Sequence, residues 1–222
     1  MTCIGVFGGT FNPVHYGHLR MAQEVAEALK LDKVLFVPAG NPPLKHSELA
    51  EASDRLAMVK MAVASNSRFL VSDLEVNQKG KSYTAMTLQN LISQFSHENA
   101  EFFFILGVDA FEDFHLWYKP EQLLALTHLV IISRSGFSFT SLVSSPYLPN
   151  LSVEEMAKLD QNELHLCSSK LPDSGKMAYF CKLIPLGISA SLIRTLIKNG
   201  RSVKYLLPEE VEFYIIKNKL YV

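Results

Sequence analysis

Apolar positions along this chain alternate between two rhythms. Short unbroken runs at Cys3–Phe7, Lys33–Pro38 (KVLFVP), Phe69–Ser72, Phe102–Leu106 (FFFIL), Leu129–Ile132 (LVII) and Phe180–Ile184 predict strands. Longer segments between them repeat every three to four residues, which predicts helices. From Gly17 to Lys30, Leu19, Ala22, Val25, Ala26 and Leu29 share a face. Ser53 is placed to cap a helix presenting Leu56, Val59 and Val63. Tyr83–Phe95 carries Leu88, Leu91, Ile92 and Phe95 at one helical stripe. Near the end, a helix over Ala190–Asn199 is stopped by Gly200, and a last one opens at Pro208 and runs to Lys217.

Runs that are apolar on both faces suit parallel strands covered from both sides, and strands alternating with helices build βαβ units. The pattern therefore predicts a doubly wound, Rossmann-like α/β fold: a parallel sheet with helices on both faces and a C-terminal helical extension. Ser135–Lys176 breaks the pattern. It is rich in Ser and Pro, with one helix around Val153–Leu159, and reads as a variable insertion within a single domain spanning 1–222.

Composition narrows the class. With 222 residues, 48% apolar and 19% charged, the chain can bury a real core and is neither disordered nor collagen-like. A net charge of −1 argues against a nonspecific nucleic-acid binder but leaves room for a local anion site. Cys3, Cys167 and Cys181 make neither a metal nor a disulfide spacing, and no basic leader or membrane-length apolar run is present. These features lead us to expect a cytoplasmic protein with no membrane and no nucleic-acid partner. A homo-oligomer is compatible with them.

The chemistry concentrates between the first strand and first helix, in Gly8-Gly9-Thr10-Phe11-Asn12-Pro13-Val14-His15-Tyr16-Gly17-His18. Two glycines allow close backbone approach to an anion, and the helix start aims unpaired N–H groups at it. His15 and His18, three apart, can serve one phosphate-sized site. The string is neither GxxxxGK[ST] nor GxGxxG. A glycine turn with two bystander histidines is the bland alternative. Far along the chain, Ile188-Ser189-Ala190-Ser191-Leu192-Ile193-Arg194 opens a helix with hydroxyls and an arginine, a second anion-binding device or simply a capped surface helix. Gly107-Val108-Asp109 follows the FFFIL strand at the end where open parallel sheets bind ligands, so Asp109 could take ribose hydroxyls or merely cap a helix. Trp117, the only tryptophan, could stack on a ring or pack in the core. Arg20, His97, His128 and His165 read as structural or solvated.

The string GGTFNPVHYGH resembles the phosphate-binding motif of the HxGH nucleotidylyltransferase superfamily. Its Gly-Gly-Thr-Phe opening is most similar to the nicotinate- and nicotinamide-mononucleotide adenylyltransferases, with phosphopantetheine adenylyltransferases as shorter relatives. Asn12 stands where many members carry Asp. ISASLIR resembles the ISSTxIR signature, with Ala190 departing at its third position. Pro42-Pro43-Leu44-Lys45-His46 resembles the PPHK-type loop, Ser82-Tyr83-Thr84 the SYTxxT helix start, and the stretch from Gly107 through Trp117-Tyr118 the GxDxxxxFxxWy segment.

The resemblance implies AMP transfer from ATP to nicotinate mononucleotide, giving nicotinate adenine dinucleotide and pyrophosphate in NAD biosynthesis. It assigns ATP to Gly8, Gly9, Thr10, Phe11, His15, His18, Gly107, Asp109, Arg134, Ser189, Ser191 and Arg194, with His15, His18 and Arg194 acting on the transferring phosphates. It assigns the mononucleotide to Asn41, Lys45, Tyr83, Thr84 and Trp117. Mg²⁺ is expected to arrive with ATP, since no carboxylate cluster of ligand spacing appears and no protein metal site is expected. A nicotinamide-mononucleotide or other HxGH adenylyltransferase stays open as a second reading, and a non-catalytic nucleotide-binding module as a third.

Overall fold

Each apolar run named above lies in or overlaps a strand of the computed structural model, which describes residues 1–42, 49–78 and 80–222. In chain order the elements are β1 (Thr2–Gly9), α1 (Tyr16–Ala28), β2 (Lys33–Pro38), α2 (Ala52–Val63), β3 (Phe69–Val71), α3 (Leu74–Asn77), α4 (Thr84–Gln94), β4 (Ala100–Gly107), α5 (Val108–Glu112), α6 (Pro120–Leu126), β5 (His128–Ile132), α7 (Val153–Asp160), β6 (Leu166–Lys170), β7 (Met177–Cys181), α8 (Ala190–Lys198) and α9 (Glu209–Lys217). Short 3₁₀ turns cover Phe114–Leu116 and Phe139–Ser144.

The chain folds as two compact units that trade sequence within β1 and α1. The first comprises Met1–Phe7, Glu24–Lys33 and Tyr83–Pro185, and the second Gly8–Gln23, Val34–Ser82 and Leu186–Val222. In the first unit β1 pairs with β4, β4 with β5 and β5 with β7, all parallel. Phe102–Leu106 and His128–Ile132 are buried along their whole length, as expected for strands covered from both sides. His128, which gave no functional signal, is a structural strut. Its Nε2 lies 2.7 Å from a Glu101 carboxylate oxygen, its Nδ1 accepts from the Met177 N–H at 3.0 Å, and its ring stacks on Phe103. The His128 bond, chiefly, holds the Glu101 carboxyl below the ordinary carboxylate pKa.

The 135–176 stretch holds more order than its composition suggests. The expected helix forms as α7, with the Ser152 hydroxyl accepting from the Glu155 N–H. Phe139, Leu142, Leu148, Met156 and Leu159 from this stretch are buried. The unexpected element is β6, antiparallel to β7 from Leu166↔Cys181 to Lys170↔Met177. Its sequence, LCSSK, lacks an apolar run because the strand alternates between exposed and half-buried positions. Its order comes from main-chain pairing. The β7 strand itself sits earlier than the Phe180–Ile184 run. Leu183 and Ile184 leave the ladder, and their N–H groups are taken by the Ser133 hydroxyl and the Glu24 carboxylate, both at 2.9 Å.

In the second unit β2 and β3 pair in parallel, Val34↔Phe69 to Phe36↔Val71, joined through α2. Helix α2 starts earlier than its candidate cap. Glu51 flanks it and Ser53 lies inside the first turn, while the buried face runs through Arg55, Met58, Val59, Ala62 and Val63, with Leu56 only half-buried. The helical extension, α8 and α9, belongs to this unit. Gly200 ends α8 as expected: at φ +64 it lets its N–H reach the Ile197 carbonyl, and that of Arg201 the Leu196 carbonyl.

Candidate active site

The glycine-rich string forms the turn from β1 into α1, within the second unit from Gly8 onward. Phe11 takes a left-handed backbone, φ +48, and is buried. Its ring meets the His18 ring edge-on at 5.1 Å and Phe36 at 5.8 Å, and this packing holds the strained residue in place. His15 is 2% exposed and stacks on His18 at 3.8 Å, interplanar angle 28°. The His15 main-chain N–H donates to Nδ1 of His18 at 3.3 Å. A neutral His18 whose Nδ1 accepts must carry its proton on Nε2, which is then a donor. The glycine between the histidines has a steric reason: a Cβ on Gly17 would stand 2.9 Å from Nδ1 of His15.

The serine–arginine helix start reaches the same turn. Ser189 caps α8, its hydroxyl accepting from the Leu192 N–H at 3.2 Å, with the Ser191 hydroxyl 3.1 Å away. One turn on, Arg194 Nη1 donates to the main-chain carbonyl of Asn12 at 2.9 Å across 182 residues of sequence. Ser189 and Ser191 are exposed and Arg194 half-buried.

Sequence reasoning missed Arg55, the residue that binds these loops together. It is fully buried on α2, and its guanidinium donates from Nη1 to the Thr10 carbonyl at 2.8 Å, from Nη2 to Gly40 at 3.0 Å and from Nε to Ala50 at 3.0 Å. Burial pulls its pKa below the ordinary arginine value. The one available signal was an arginine at the centre of an otherwise apolar helical face. Of the other residues expected in this unit, Asn41 is exposed next to these loops, and Lys45 lies outside the described residues.

The remaining expected residues lie in the first unit and form two groups. Gly107 ends β4, Asp109 stands in the first turn of α5, and Arg134 follows β5. Arg134 Nε is 3.6 Å from Asp109 Oδ1. A larger residue there would push that pair aside: a Cβ at position 107 would fall 2.1 Å from Asp109 Oδ1 and 2.8 Å from Arg134 Cγ. In the second group Tyr83 and Thr84 open α4, and Tyr83 packs on Tyr118 at 4.6 Å. Trp117 is half-buried against Phe104 and Phe114, at 6.0 and 5.5 Å. Its packing and any ring-stacking role are compatible.

Comparison with known proteins places this geometry. The cytidylyltransferase-like family profile matches residues 6–196, which include both the GGTFNPVHYGH turn and Arg194. A protein of Desulfatibacillum aliphaticivorans named probable nicotinate-nucleotide adenylyltransferase is 41% identical over 99% of this chain and 99% of its own. One of Geobacter sp. strain M21 with the same name is 41% identical over 99% and 98%. The chain belongs to the nicotinate-nucleotide adenylyltransferase family. Among solved structures, the Plasmodium falciparum nicotinic acid mononucleotide adenylyltransferase complexed with NaAD is similar at a TM-score of 0.72, with 22% identity over 100% of this chain and 98% of that one. This likeness confirms the doubly wound, Rossmann-like α/β fold.

Seen as a member of the nicotinate-nucleotide adenylyltransferase family, the chain's two departures from pattern are benign. Asn12 presents a side-chain carbonyl where an Asp would present a carboxylate, and it accepts from the Ala50 N–H at 3.1 Å as a carboxylate could. Ala190 is the first helical residue of α8, where alanine suits the helix and leaves the cap to Ser189. Among the described residues, no group of three or more His, Cys, Asp or Glu is placed to hold a metal ion, and no helix is long and apolar enough to cross a membrane.

Proposed function

We propose that the protein transfers AMP from ATP to nicotinate mononucleotide, forming nicotinate adenine dinucleotide and pyrophosphate in NAD biosynthesis. The observation that carries this reading is the Arg194–Asn12 bond, which brings two anion-binding helix starts to one turn. The names of the 41%-identical relatives support nicotinate mononucleotide as the acceptor. In this reading the whole chain, 1–222, works as one nucleotidylyltransferase domain, in the cytoplasm, where its free cysteines stay reduced.

The mononucleotide phosphate oxygen attacks the α-phosphorus of ATP in line. A new P–O bond forms, the bond to the β-phosphate bridging oxygen breaks, and pyrophosphate leaves with that electron pair. A phosphate monoester is already a competent nucleophile near neutral pH, so the protein's task is alignment and charge stabilisation. His18 Nε2–H donates to the phosphoryl oxygens in flight, and buried His15 holds the ring that does so. Ser189, Ser191, the α8 N–H groups and the Arg194 guanidinium hold the departing pyrophosphate. Gly8, Gly9, Thr10 and Phe11 line the turn for the ATP phosphates, Asp109 with Arg134 holds the nucleoside end, and Asn41, Lys45, Tyr83, Thr84 and Trp117 serve the acceptor. The donor set around the turn consists of imidazoles, hydroxyls, amides and a guanidinium, a poor match for Mg²⁺, which prefers oxygen anions. These residues would therefore leave Mg²⁺ to enter with ATP, where it would supply charge neutralisation on the triphosphate.

A pyrophosphate-release assay comparing acceptors tests the reading. Nicotinate mononucleotide is expected to exceed nicotinamide mononucleotide in kcat/KM by about tenfold or more, the worth of one charge-assisted hydrogen bond to the ring carboxylate. No pyrophosphate with either, or a preference for phosphopantetheine, overturns it. A second test concerns the nucleoside end. Because a methyl group at position 107 displaces both Asp109 and Arg134, Gly107→Ala is expected to raise KM for ATP about tenfold while KM for the mononucleotide stays within twofold. Titrating each substrate at saturating levels of the other measures this.

A further inference from the structure

Beyond α9 the chain doubles back. Lys219 takes φ +52, its N–H bonds the Ile216 carbonyl, and the Leu220 N–H bonds that of Ile215. Tyr214 on α9 donates its hydroxyl to Asp54 Oδ1 on α2 at 2.8 Å, tying the end of the chain to the helix that carries Arg55. The reversal delivers Tyr221, itself at φ +66, to the phosphate turn, where its hydroxyl donates to Asn12 Oδ1 at 2.8 Å across 209 residues of sequence.

Asn12 is 6% exposed and is held at both ends. Its side-chain oxygen accepts from Tyr221 and from the Ala50 N–H, and its main-chain carbonyl accepts from Arg194. Burial, the largest influence, pushes the Tyr221 phenol well above its ordinary pKa, against the opposing pull of Arg194 and Arg55 and with a smaller upward push from Asp54. The hydroxyl therefore keeps its proton and stays a donor through the neutral range.

We propose that Tyr221 is a positioning residue for adenylyl transfer: its hydroxyl clamps the Asn12 side chain, and the Asn12 peptide in turn sets where Arg194 stands. The proposal rests on the reaction given above. Tyr221 touches no reacting atom. It acts through a chain of two hydrogen bonds, Tyr221 to Asn12 and Arg194 to Asn12, in which the shared residue has little freedom to move. When the phenol is lost, the Asn12 side chain loses the bond that Tyr221 supplies and the turn gains a degree of freedom. Arg194 then meets the pyrophosphate from a broader range of positions. Since that contact strengthens as charge builds on the leaving group, the cost falls on kcat.

Tyr221→Phe removes one oxygen and keeps the ring. The expected result is a kcat lowered about threefold to tenfold, an unchanged KM for the mononucleotide, and amide hydrogen exchange at Ala50 accelerated at least threefold. In an Arg194→Ala background the same substitution is expected to cost no further kcat, because the two residues act in series. An unchanged kcat, an equal loss in both backgrounds, or unaltered exchange at Ala50 each overturns the proposal. Failure of the reaction itself is distinguishable: a wild-type protein that turns over no acceptor sinks both readings, whereas an active wild type with an equally active Tyr221→Phe variant sinks only the role of Tyr221.

Discussion

Replacing His18 with alanine is expected to lower kcat by about 10²–10³, the usual cost of removing one donor from developing transition-state charge. The structure says which atom is lost. Nδ1 is occupied by the His15 N–H, so the donor is Nε2, and no other described side chain stacks on His15 as closely. The fold is expected to survive, because His18 is only half-buried and Phe11 keeps its contact with Phe36. KM for ATP should shift by less than about fivefold, since the interaction develops chiefly as the phosphoryl group transfers. Steady-state rates with ATP and nicotinate mononucleotide, alongside a melting curve, check both statements. A variant retaining more than a third of wild-type kcat removes His18 from the mechanism.

Arg55→Met is expected to be the most destabilising single change in the second unit. It leaves the carbonyls of Thr10, Gly40 and Ala50 without their guanidinium donors at a part-buried site. Each acceptor that loses its partner costs about 1 kcal/mol or more, about 3 kcal/mol together. For a chain of this size that corresponds to a Tm lower by about 10 °C. Arg55→Lys should recover little, because an ammonium cannot span three acceptors in a planar fork. Activity should fall with stability in both variants, since the tethered carbonyls belong to the phosphate turn and the two loops that flank it. A Tm within about 2 °C of wild type would show that the carbonyls find other donors.

Arg55 also marks where reading along the chain stops being informative. Its neighbours Met58, Val59, Ala62 and Val63 announce a buried helical face, and an arginine in the middle of it signals a guanidinium with partners but not which ones. Its role depends on three carbonyls from loops at 10, 40 and 50, and backbone carbonyls carry no sequence signature. The same holds for β6, whose LCSSK sequence owes its strand to the main chain of β7, and for Tyr221, whose partner lies 209 residues away. By contrast, the buried strands FFFIL and LVII, the α8 cap at Ser189 and the stop at Gly200 were all legible. Each depends on hydrophobic periodicity or on local backbone geometry within a few residues.

The candidate site divides along the same line. His15, His18, Ser189, Ser191, Arg194 and Asp109 were named from residue type, spacing and the family resemblance, because each stands at an element boundary that the local sequence sets. Their arrangement was not. That Nδ1 of His18 is occupied, that Arg194 lands on the Asn12 carbonyl, and that Gly107 lies beneath Asp109 and Arg134 are all consequences of packing. The amino-acid sequence by itself determined the α/β class, the phosphate-binding turn and the kind of chemistry, since those rest on local periodicity and on short motifs. Only the tertiary structure decided which partners these side chains meet and which residues hold them still, because hydrogen bonds between distant segments depend on where the chain returns in space.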